Sequence, residues 1–448
     1  MNYTGLSYGF HDAAIAYIKD DEILGAYHAE RESRVKNDRN PNQSWEEAIL
    51  TKVGKKCFYE KPFKKNLRRL YAGQKWKKAP DADFYVDHHW SHAAAAYYTR
   101  PFTEEPVCVV IDAIGEWDTA SIWWKKKKVW SMRYPKSLGL FYSAITQHIG
   151  LKPNEDEYIT MGMAAYGESI YSRHMEFLTR ENLHTGIPSW FMNYARPEDV
   201  AASAQVIIED KILEIINRAR RYSEHLCYGG GVALNCVANS KIQPLFKNMW
   251  ILPSPGDSGS AIGAAAAING KMLNWIDPYL GYDIKGEVNP KTVVNHLIKH
   301  SYCGIASGRA EFGPRALGNR SLIADPRLDI KDTVNRIKRR QKFRPFAPAI
   351  LEEHANEYFE GPMNEYMQFV ASAKHDYSSV THVDGTARVQ LVRKNCKSII
   401  RPILEEFYEQ TGVPMLLNTS LNIKGQPIVN TERHAEEFER EYGVRVFK

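Results

Sequence analysis

The stretch VIIEDKILEIINRARRYSEHLCYGGGVALN, residues 206–235, decides the fold class. Val206, Ile207, Ile208, Ile212, Leu213, Ile215 and Ile216 recur at the three- and four-residue spacing that lines one face of a helix, and this spacing holds over 199–225. A short apolar run follows and ends in Gly229-Gly230-Gly231, so the segment reads as helix, strand, glycine turn and helix. Helices alternating with strands place the chain in the α/β class.

The alternation continues outward on both sides. Tyr3–Tyr8, Ala13–Ile18 and Ile23–Tyr27 are apolar runs separated by Gly9 and Asp20-Asp21, which predicts a three-stranded meander. Ser44, followed by Glu46 and Glu47, marks a helix start running towards Cys57. Val107–Asp112 reads as a buried strand ending in a carboxylate. Thr119–Trp124 and Val129–Arg133 flank a polar turn at Lys125–Lys128. A Gly/Ala-rich helix follows Asp257, and between 274 and 290 the composition shifts to Asn, Asp, Pro, Gly and Tyr. The boundary is expected there, dividing the chain into domains 1–284 and 285–448.

A length of 448 residues suits two domains with substantial cores. With 44% hydrophobic and 25% charged residues, global disorder is excluded. No apolar run approaches the roughly 18 residues of a membrane span. The opening Met1-Asn2-Tyr3-Thr4 lacks the layout of a secretory signal, so a cytoplasmic protein with no membrane partner is expected. The six cysteines are scattered without a CxxC pair, which argues against a zinc site or a disulfide framework.

The charge is unevenly spread. Residues 52–78 hold eleven Lys/Arg and one acid, Glu60, a local +10 in a chain whose total is +6. Lys64, Lys65, Arg68 and Arg69 are its centre, interleaved with Phe58, Tyr59, Phe63, Tyr71 and Trp76. Cations with stacking aromatics suit a polynucleotide, and a solvated lysine-rich helix is the plainer alternative.

His88 and His92 lie four apart, so on a helix both rings leave one face. Two such imidazoles can chelate a divalent metal, with Asp257 in Pro255-Gly256-Asp257 as the natural third ligand. The bland readings are a surface histidine pair and an aspartate N-cap. The glycine turn Gly229–Asn235 lets backbone approach a ligand closely, but it is neither a Walker motif nor a GxGxxG fingerprint and serves equally as a tight turn. Downstream, Arg309, Arg315 and Arg320 fall among glycines, and Lys338, Arg344 and Arg388 add further cations. Asn418-Thr419-Ser420 supplies amide and hydroxyl donors. Guanidinium groups converging on rigid loops bind phosphate or carboxylate.

Together these strings resemble the NodU/CmcH-type O-carbamoyltransferases, nearly end to end. The matching segments include Gly9–Ala14, His88–His92, Asp112–Glu116, Gly229–Asn239, Gly256–Ala265, Glu311–Ser321, Phe343–Pro348, Asp384–Gln390 and Asn418–Asn422. The resemblance implies an actin-like, ASKHA-type ATPase-fold N-terminal domain followed by a YrdC-like α/β domain. It implies that carbamoyl phosphate and ATP give carbamoyl-adenylate, whose carbamoyl group passes to an acceptor hydroxyl. An iron-type divalent metal is implied in the transfer domain, and Mg with ATP. His88, His92 and Asp257 fall at the family's metal site, and His11 is the candidate general base. Asp112, Gly115, Glu116, Gly229, Gly230, Gly231 and Asn235 fall at its adenylate site. Arg315, Lys338, Arg344, Arg388, Asn418 and Ser420 match its carbamoyl-phosphate pocket.

Two departures stand out: Ile159 replaces a lysine and Ala165 a proline of the family pattern. The basic patch favours a 5-hydroxymethylpyrimidine acceptor, in DNA or as its nucleotide, as in a viral protein working in host cytoplasm. The competing readings are a sugar or other small-molecule hydroxyl, and a non-catalytic nucleic-acid-binding protein on the same fold.

Overall fold

The computed structural model describes residues 1–41 and 54–448, and the helix start expected at Ser44–Glu47 lies outside them. Two compact units are present, Met1–Ala26 with Arg39–Trp275 and Tyr27–Asp38 with Ile276–Lys448. The division expected at 284/285 treats the chain as two consecutive segments. The structure instead exchanges Tyr27–Asp38, whose short helix Ala29–Ser33 belongs with the second unit. Arg31 there donates to Gly313 O at 2.8 Å, and Arg34 donates to Ile428 O at 2.7 Å and Pro427 O at 2.9 Å.

Among the described residues, the first unit holds two five-stranded sheets. One contains β1 (Asn2–Ser7), β2 (Ala14–Lys19), β3 (Glu22–His28), β4 (Lys55–Phe58) and β5 (Phe84–Tyr85), in the order β3-β2-β1-β4-β5. The other contains β6 (Val107–Ile111), β7 (Asp118–Trp124), β8 (Lys127–Arg133), β9 (His225–Gly229) and β10 (Asn248–Ile251), in the order β8-β7-β6-β9-β10. In each sheet the first strand pairs antiparallel with the second and parallel with the fourth. The two sheets are thus one topology used twice, the actin-like ATPase arrangement. No sequence repeat announces it, because burial pattern rather than residue identity sets each strand. The expected meander and the Val107–Asp112 strand are β1–β3 and β6. Cys57, towards which the helix expected from Ser44 runs, lies in β4. Its pairing with β1 and β5 overrides any local helical tendency.

Strands β1 and β6 are buried on both faces, as central strands of covered sheets are. Their covers include two small-residue helices packed together, His88–Thr99 against β6 and β9 and Ser260–Asn269 against β1 and β2. Ala93–Ala96 and Ala264–Ala266 allow the approach. At its tightest point a Cβ on Gly263 would lie 1.8 Å from Ser91 O, so only glycine fits. This contact ties the histidine helix to the Asp257 turn. Helix Pro197–Ala219 covers the other face of the second sheet, with Ile207, Ile208, Ile212, Ile215 and Ile216 in the core.

The second unit is built on a six-stranded mixed sheet. Its order is Gln390–Val392, Ala347–Leu351, Met415–Ser420, Arg320–Ala324, Tyr302–Ala306 and Val446–Phe447. The three middle pairings are antiparallel and the two outermost parallel. Helices Pro290–His300 and Ile400–Thr411 bury Val293, Leu297, Ile403 and Phe407 against it. Among the described residues no helix is long and apolar enough to cross a membrane.

Candidate functional site

The first unit gathers charge at the C-terminal ends of its strands, where open α/β sheets hold ligands. His88 and His92 start a helix capped by Asp87, which accepts from Trp90 N at 3.3 Å. Asp112 follows β6, and Asp257 sits in a 3₁₀ turn leading into helix Ser260–Asn269. His88, His92, Asp112 and Asp257 each present one ligand atom, all within 4.8 Å of one another. His88 Nε2 lies 3.1 Å from Asp112 Oδ2, 3.1 Å from His92 Nε2 and 3.6 Å from Asp257 Oδ1. His92 Nε2 lies 3.3 Å from Asp257 Oδ1 and 3.7 Å from Asp112 Oδ2.

Asp112 was expected at an adenylate site, and the structure makes it the fourth member of the histidine cluster. The sequence carried a signal for this: a carboxylate directly after the fully apolar run Val107–Ile111 is costly to bury unless it is paired.

Without a cation, protons balance the two carboxylates. Burial works against the imidazolium of His92, but the Asp112 and Asp257 carboxylates outweigh it and hold the ring at about 10. His88 is raised by the same balance. Burial drives Asp112 upward, but its hydrogen bonding to His88 and His92 holds it well below the usual carboxylate range. Neighbouring His89 differs, because burial and then the His88 charge push it down to about 3.

The donor set fits a divalent metal. Two imidazole nitrogens and two carboxylate oxygens suit iron, zinc or manganese. Metal–ligand bonds of about 2.1 Å at tetrahedral angles separate donors by about 3.4 Å, within the observed spread. His92 Nδ1 faces Pro255 O at 3.1 Å, which fixes the tautomer with Nε2 turned to the cluster.

The glycine turn borders this cluster. Gly230 has φ +91°, and a Cβ there would meet Ile111 O at 2.2 Å, so the turn admits only glycine. Gly230 N donates to Pro255 O at 2.9 Å and Gly231 N to Asp112 Oδ1 at 3.1 Å. Backbone of Gly229–Gly231 therefore orients two cluster members. No α-helix starts directly after it: a 3₁₀ turn, Gly231–Leu234, intervenes before helix Cys236–Ile242. Asn235 caps that helix, accepting from Ala238 N at 3.0 Å, and exchanges hydrogen bonds with Gln205. Gly115 turns the chain after Asp112, its N–H donating to Asp118 O at 2.8 Å. Glu116 accepts from Lys61 N at 2.7 Å and His88 N at 3.1 Å. Burial and the Asp87 charge lift its carboxyl to about 7.

His11 lies in the turn after β1, half-buried, with Nδ1 donating to Asp12 Oδ2 at 3.0 Å. Burial pulls the ring down, but Asp12 and then the charges of Asp257 and Asp112 raise it to about 9. His11 thus feels the field of the cluster.

The residues expected to hold carbamoyl phosphate all lie in the second unit. Asn418 pairs in register with Ala347, and its Nδ2 donates to Gln390 Oε1 at 2.7 Å and Ala316 O at 3.1 Å. This brings Asn418 beside the chain that carries Arg315 and the strand that follows Arg388. Asn418 Oδ1 and Arg388 Nε are buried without a hydrogen-bond partner, two polar atoms available to a ligand. Lys338 Nζ is buried against Ser420 O, Ser420 Oγ at 3.3 Å, and Asn422 O and Oδ1 at 3.0 Å each. Burial, then the charges of Arg340 and Arg344, push it well below the usual lysine range. Lys338 therefore shapes the Ser420–Asn422 turn, since four protein acceptors already surround three donors. Of the three arginines at 309–320, Arg320 is wholly buried and spends its donors on Asn430 O, Ser307 O, Gly308 O, Asn319 O and Tyr282 O. Arg309 donates to Leu280 O. Both brace loops, which glycine-rich sequence context does not distinguish from ligand binding.

The basic patch is narrower than its sequence. On helix Pro62–Tyr71, Arg68 is 7% exposed and Lys65 pairs with buried Glu60, so these two cations turn inward. Lys64 stays on the outer side, while Arg69 is half-buried with Nε donating to Lys75 O. The outer face also carries apolar residues: Phe63 is 65% exposed, Tyr71 69% and Trp76 50%, with Leu67 and Leu70 between them.

Comparison with known proteins gives the family of the chain. Residues 42–183 and 186–266 match the family model described as carbamoyltransferase N-terminus, and 294–447 match carbamoyltransferase C-terminus. An uncharacterized protein of Synechocystis is 32% identical, covering 96% of this chain and 93% of its own. Nodulation protein NolNO of Sinorhizobium fredii is 30% identical over 94% of this chain and 75% of its own. Among solved structures, T. kodakarensis HypF aligns with 60% of this chain and 47% of its own, at 12% identity and a TM-score of 0.37. With both family models in order and relatives matched almost end to end, the chain belongs to the carbamoyltransferase family.

Proposed function

We propose that this carbamoyltransferase is an ATP-dependent O-carbamoyltransferase with the two units dividing the work. The reading is carried by the four-donor cluster His88, His92, Asp112 and Asp257, flanked by the His11–Asp12 pair and the glycine turn. In the second unit, carbamoyl phosphate and water give carbamate and phosphate. Carbamate oxygen then attacks the α-phosphorus of ATP, and pyrophosphate leaves. Arg315, Arg344 and Arg388 neutralise the phosphates, and Asn418 Oδ1 accepts a hydrogen bond from the carbamoyl amide. In the first unit the acceptor oxygen attacks the carbonyl carbon of carbamoyl-adenylate, AMP departs and the acceptor proton passes to neutral His11. His88, His92, Asp112 and Asp257 would hold a divalent metal, which when bound would supply Lewis-acid polarisation. Asp12 orients the His11 ring, and the Gly229–Gly231 backbone holds Asp112 and the Pro255 turn in place.

The favoured acceptor is a hydroxymethylpyrimidine in DNA. Its support is the outer side of helix Pro62–Tyr71, where exposed Phe63 and Tyr71 lie beside Lys64, with exposed Trp76 following, stacking surface and a cation of the kind single strands use. A small-molecule hydroxyl is the second reading, favoured by relatives named as nodulation proteins. The test supplies ATP and carbamoyl phosphate labelled in the carbamoyl carbon, with hydroxymethylcytosine DNA beside a panel of sugars and alcohols. Label in DNA with stoichiometric AMP is expected. Label confined to the panel would overturn the acceptor, and transfer without AMP would overturn the adenylate.

A further inference from the structure

The cluster leaves one of its ring nitrogens unaccounted for. His88 is buried and turns Nε2 towards Asp112, His92 and Asp257, but its Nδ1 is buried with no hydrogen-bond partner. A histidine that lends Nε2 to a cation must carry its proton on Nδ1, and that proton needs an acceptor. His92 meets this demand with Pro255 O. For His88 the facing oxygen is Glu60 Oε2 at 3.9 Å, on a carboxylate that is 7% exposed. Glu60 stands on the far side of the ring from the cluster, so it is not a fifth ligand.

We propose that Glu60 is the positioning residue of the histidine cluster, its carboxylate taking the Nδ1–H of His88 while Lys65 anchors its second oxygen. The inference rests on reading the cluster as a metal centre. Three contacts hold the arrangement. Lys65 Nζ binds Glu60 Oε1 at 2.5 Å, leaving Oε2 directed at the ring. Glu116 accepts both the Lys61 N–H, next in the chain after Glu60, and the N–H of His88 itself. A fourth acidic side chain thus pins the backbone next to Glu60 to the backbone of the ligand it serves. Tyr59 completes the fixture, its ring 5.2 Å from that of His88 and its carbonyl accepting from Ser91 Oγ at 2.9 Å. A carboxylate behind a ligating imidazole makes the ring a stronger donor and restricts its rotation. The same residue joins the cluster to helix Pro62–Tyr71 through Lys65, which explains why a cation there points inward.

The test is a titration of metal-free full-length protein with Co(II), followed by its visible absorption, for the wild type and for Glu60→Gln, Glu60→Ala and Glu60→Asp. Glu60→Gln and Glu60→Ala should weaken Co(II) binding by about 10- to 100-fold and alter the band, with Glu60→Asp recovering part of the loss. Nitrogen NMR of the Zn(II)-loaded wild type should show His88 protonated at Nδ1 and protected from exchange, a readout that stands even if a variant fails to fold. Wild-type binding retained in both Gln and Ala variants, or a His88 that ligates through Nδ1, overturns the role of Glu60. A wild type that binds no Co(II) overturns the metal centre and this inference with it.

Discussion

His92 Nδ1 lies 3.1 Å from the carbonyl oxygen of Pro255, and a carbonyl can only accept, so the ring carries its proton there. Its Nε2 is then the atom that meets Asp257 and Asp112, protonated when no cation is present and a ligand when one is. The expected consequence is competition between proton and metal. His92 is held at about 10 and so carries the extra proton at pH 7 in the metal-free protein, and His88 is raised towards holding one too. Metal binding should release those protons, and apparent affinity should climb with pH, by up to about tenfold per unit for each proton displaced. Calorimetric titration in two buffers of different ionisation enthalpy counts the protons. The same shift stabilises the metal-free fold fully below the ordinary pKa of about 6.5 and is lost as pH rises through about 10. A pH-independent affinity would contradict the assignment.

Asp112 separates two roles that sequence alone left divided. If it is a ligand, Asp112→Asn should weaken Zn(II) or Co(II) binding as strongly as Asp257→Asn, on the order of 100-fold or more. If it served only nucleotide, metal affinity would stay near wild type while ATP binding fell. Equilibrium dialysis with each ligand distinguishes the two.

How much of this was legible in the sequence follows from what each motif depends on. His88 and His92 were found because helical spacing alone puts them on one face, and the ligating potential of Asp257 follows from its turn. Asp112 and Glu60 each close a buried apolar run, but which partner meets them depends on packing between sheets that are distant in sequence. The exchanged segment Tyr27–Asp38 was invisible for the same reason, since Arg31 and Arg34 are held by carbonyls about 280 and 390 residues away. Lys338, Arg309 and Arg320 show the limit from the other side. Their sequence context resembles a phosphate site, but only three-dimensional contacts reveal that their donors are already engaged.

His11 should separate adenylate formation from transfer. His11→Gln is expected to leave AMP formation from ATP and carbamoyl phosphate unchanged and to slow acceptor carbamoylation by about 10²–10⁴-fold. A base held at about 9 loses its proton only as pH rises, so transfer should accelerate between pH 6 and 9 in the wild type. Metal at the cluster offsets the charges of Asp257 and Asp112 and should move that rise to lower pH. Single-turnover transfer from preformed adenylate gives the profile, and a rise that persists in His11→Gln would place the base elsewhere.

Arg344 and Lys338 should fail in different ways. If Arg344 serves the proposed phosphate pocket, Arg344→Ala should cut AMP formation by about 100-fold or more with a smaller change in urea midpoint than Lys338→Met. Lys338→Met leaves buried acceptors on Ser420 and Asn422 without a donor and should cost about 1–3 kcal/mol of stability. Equal stability losses in the two variants would show that the division between ligand-facing and structural cations is wrong.

The outer and inner cations of helix Pro62–Tyr71 provide the last discrimination. Lys64 lies on the side with exposed Phe63 and Tyr71, Arg69 is half-buried on the other side of the helix, and Arg68 is buried. If a polynucleotide binds there, Lys64→Ala should lower the salt slope of single-stranded DNA binding by about one and half-buried Arg69→Ala by less. Phe63→Ala and Trp76→Ala should each weaken binding by about 1–3 kcal/mol with little change in that slope, because stacking releases no counterions. Acceptor-free adenylation should be untouched in all four. Fluorescence anisotropy at several salt concentrations reads both terms. A surface that is merely solvated would show unchanged DNA affinity in the aromatic variants, and the acceptor would then be sought among small hydroxylic molecules.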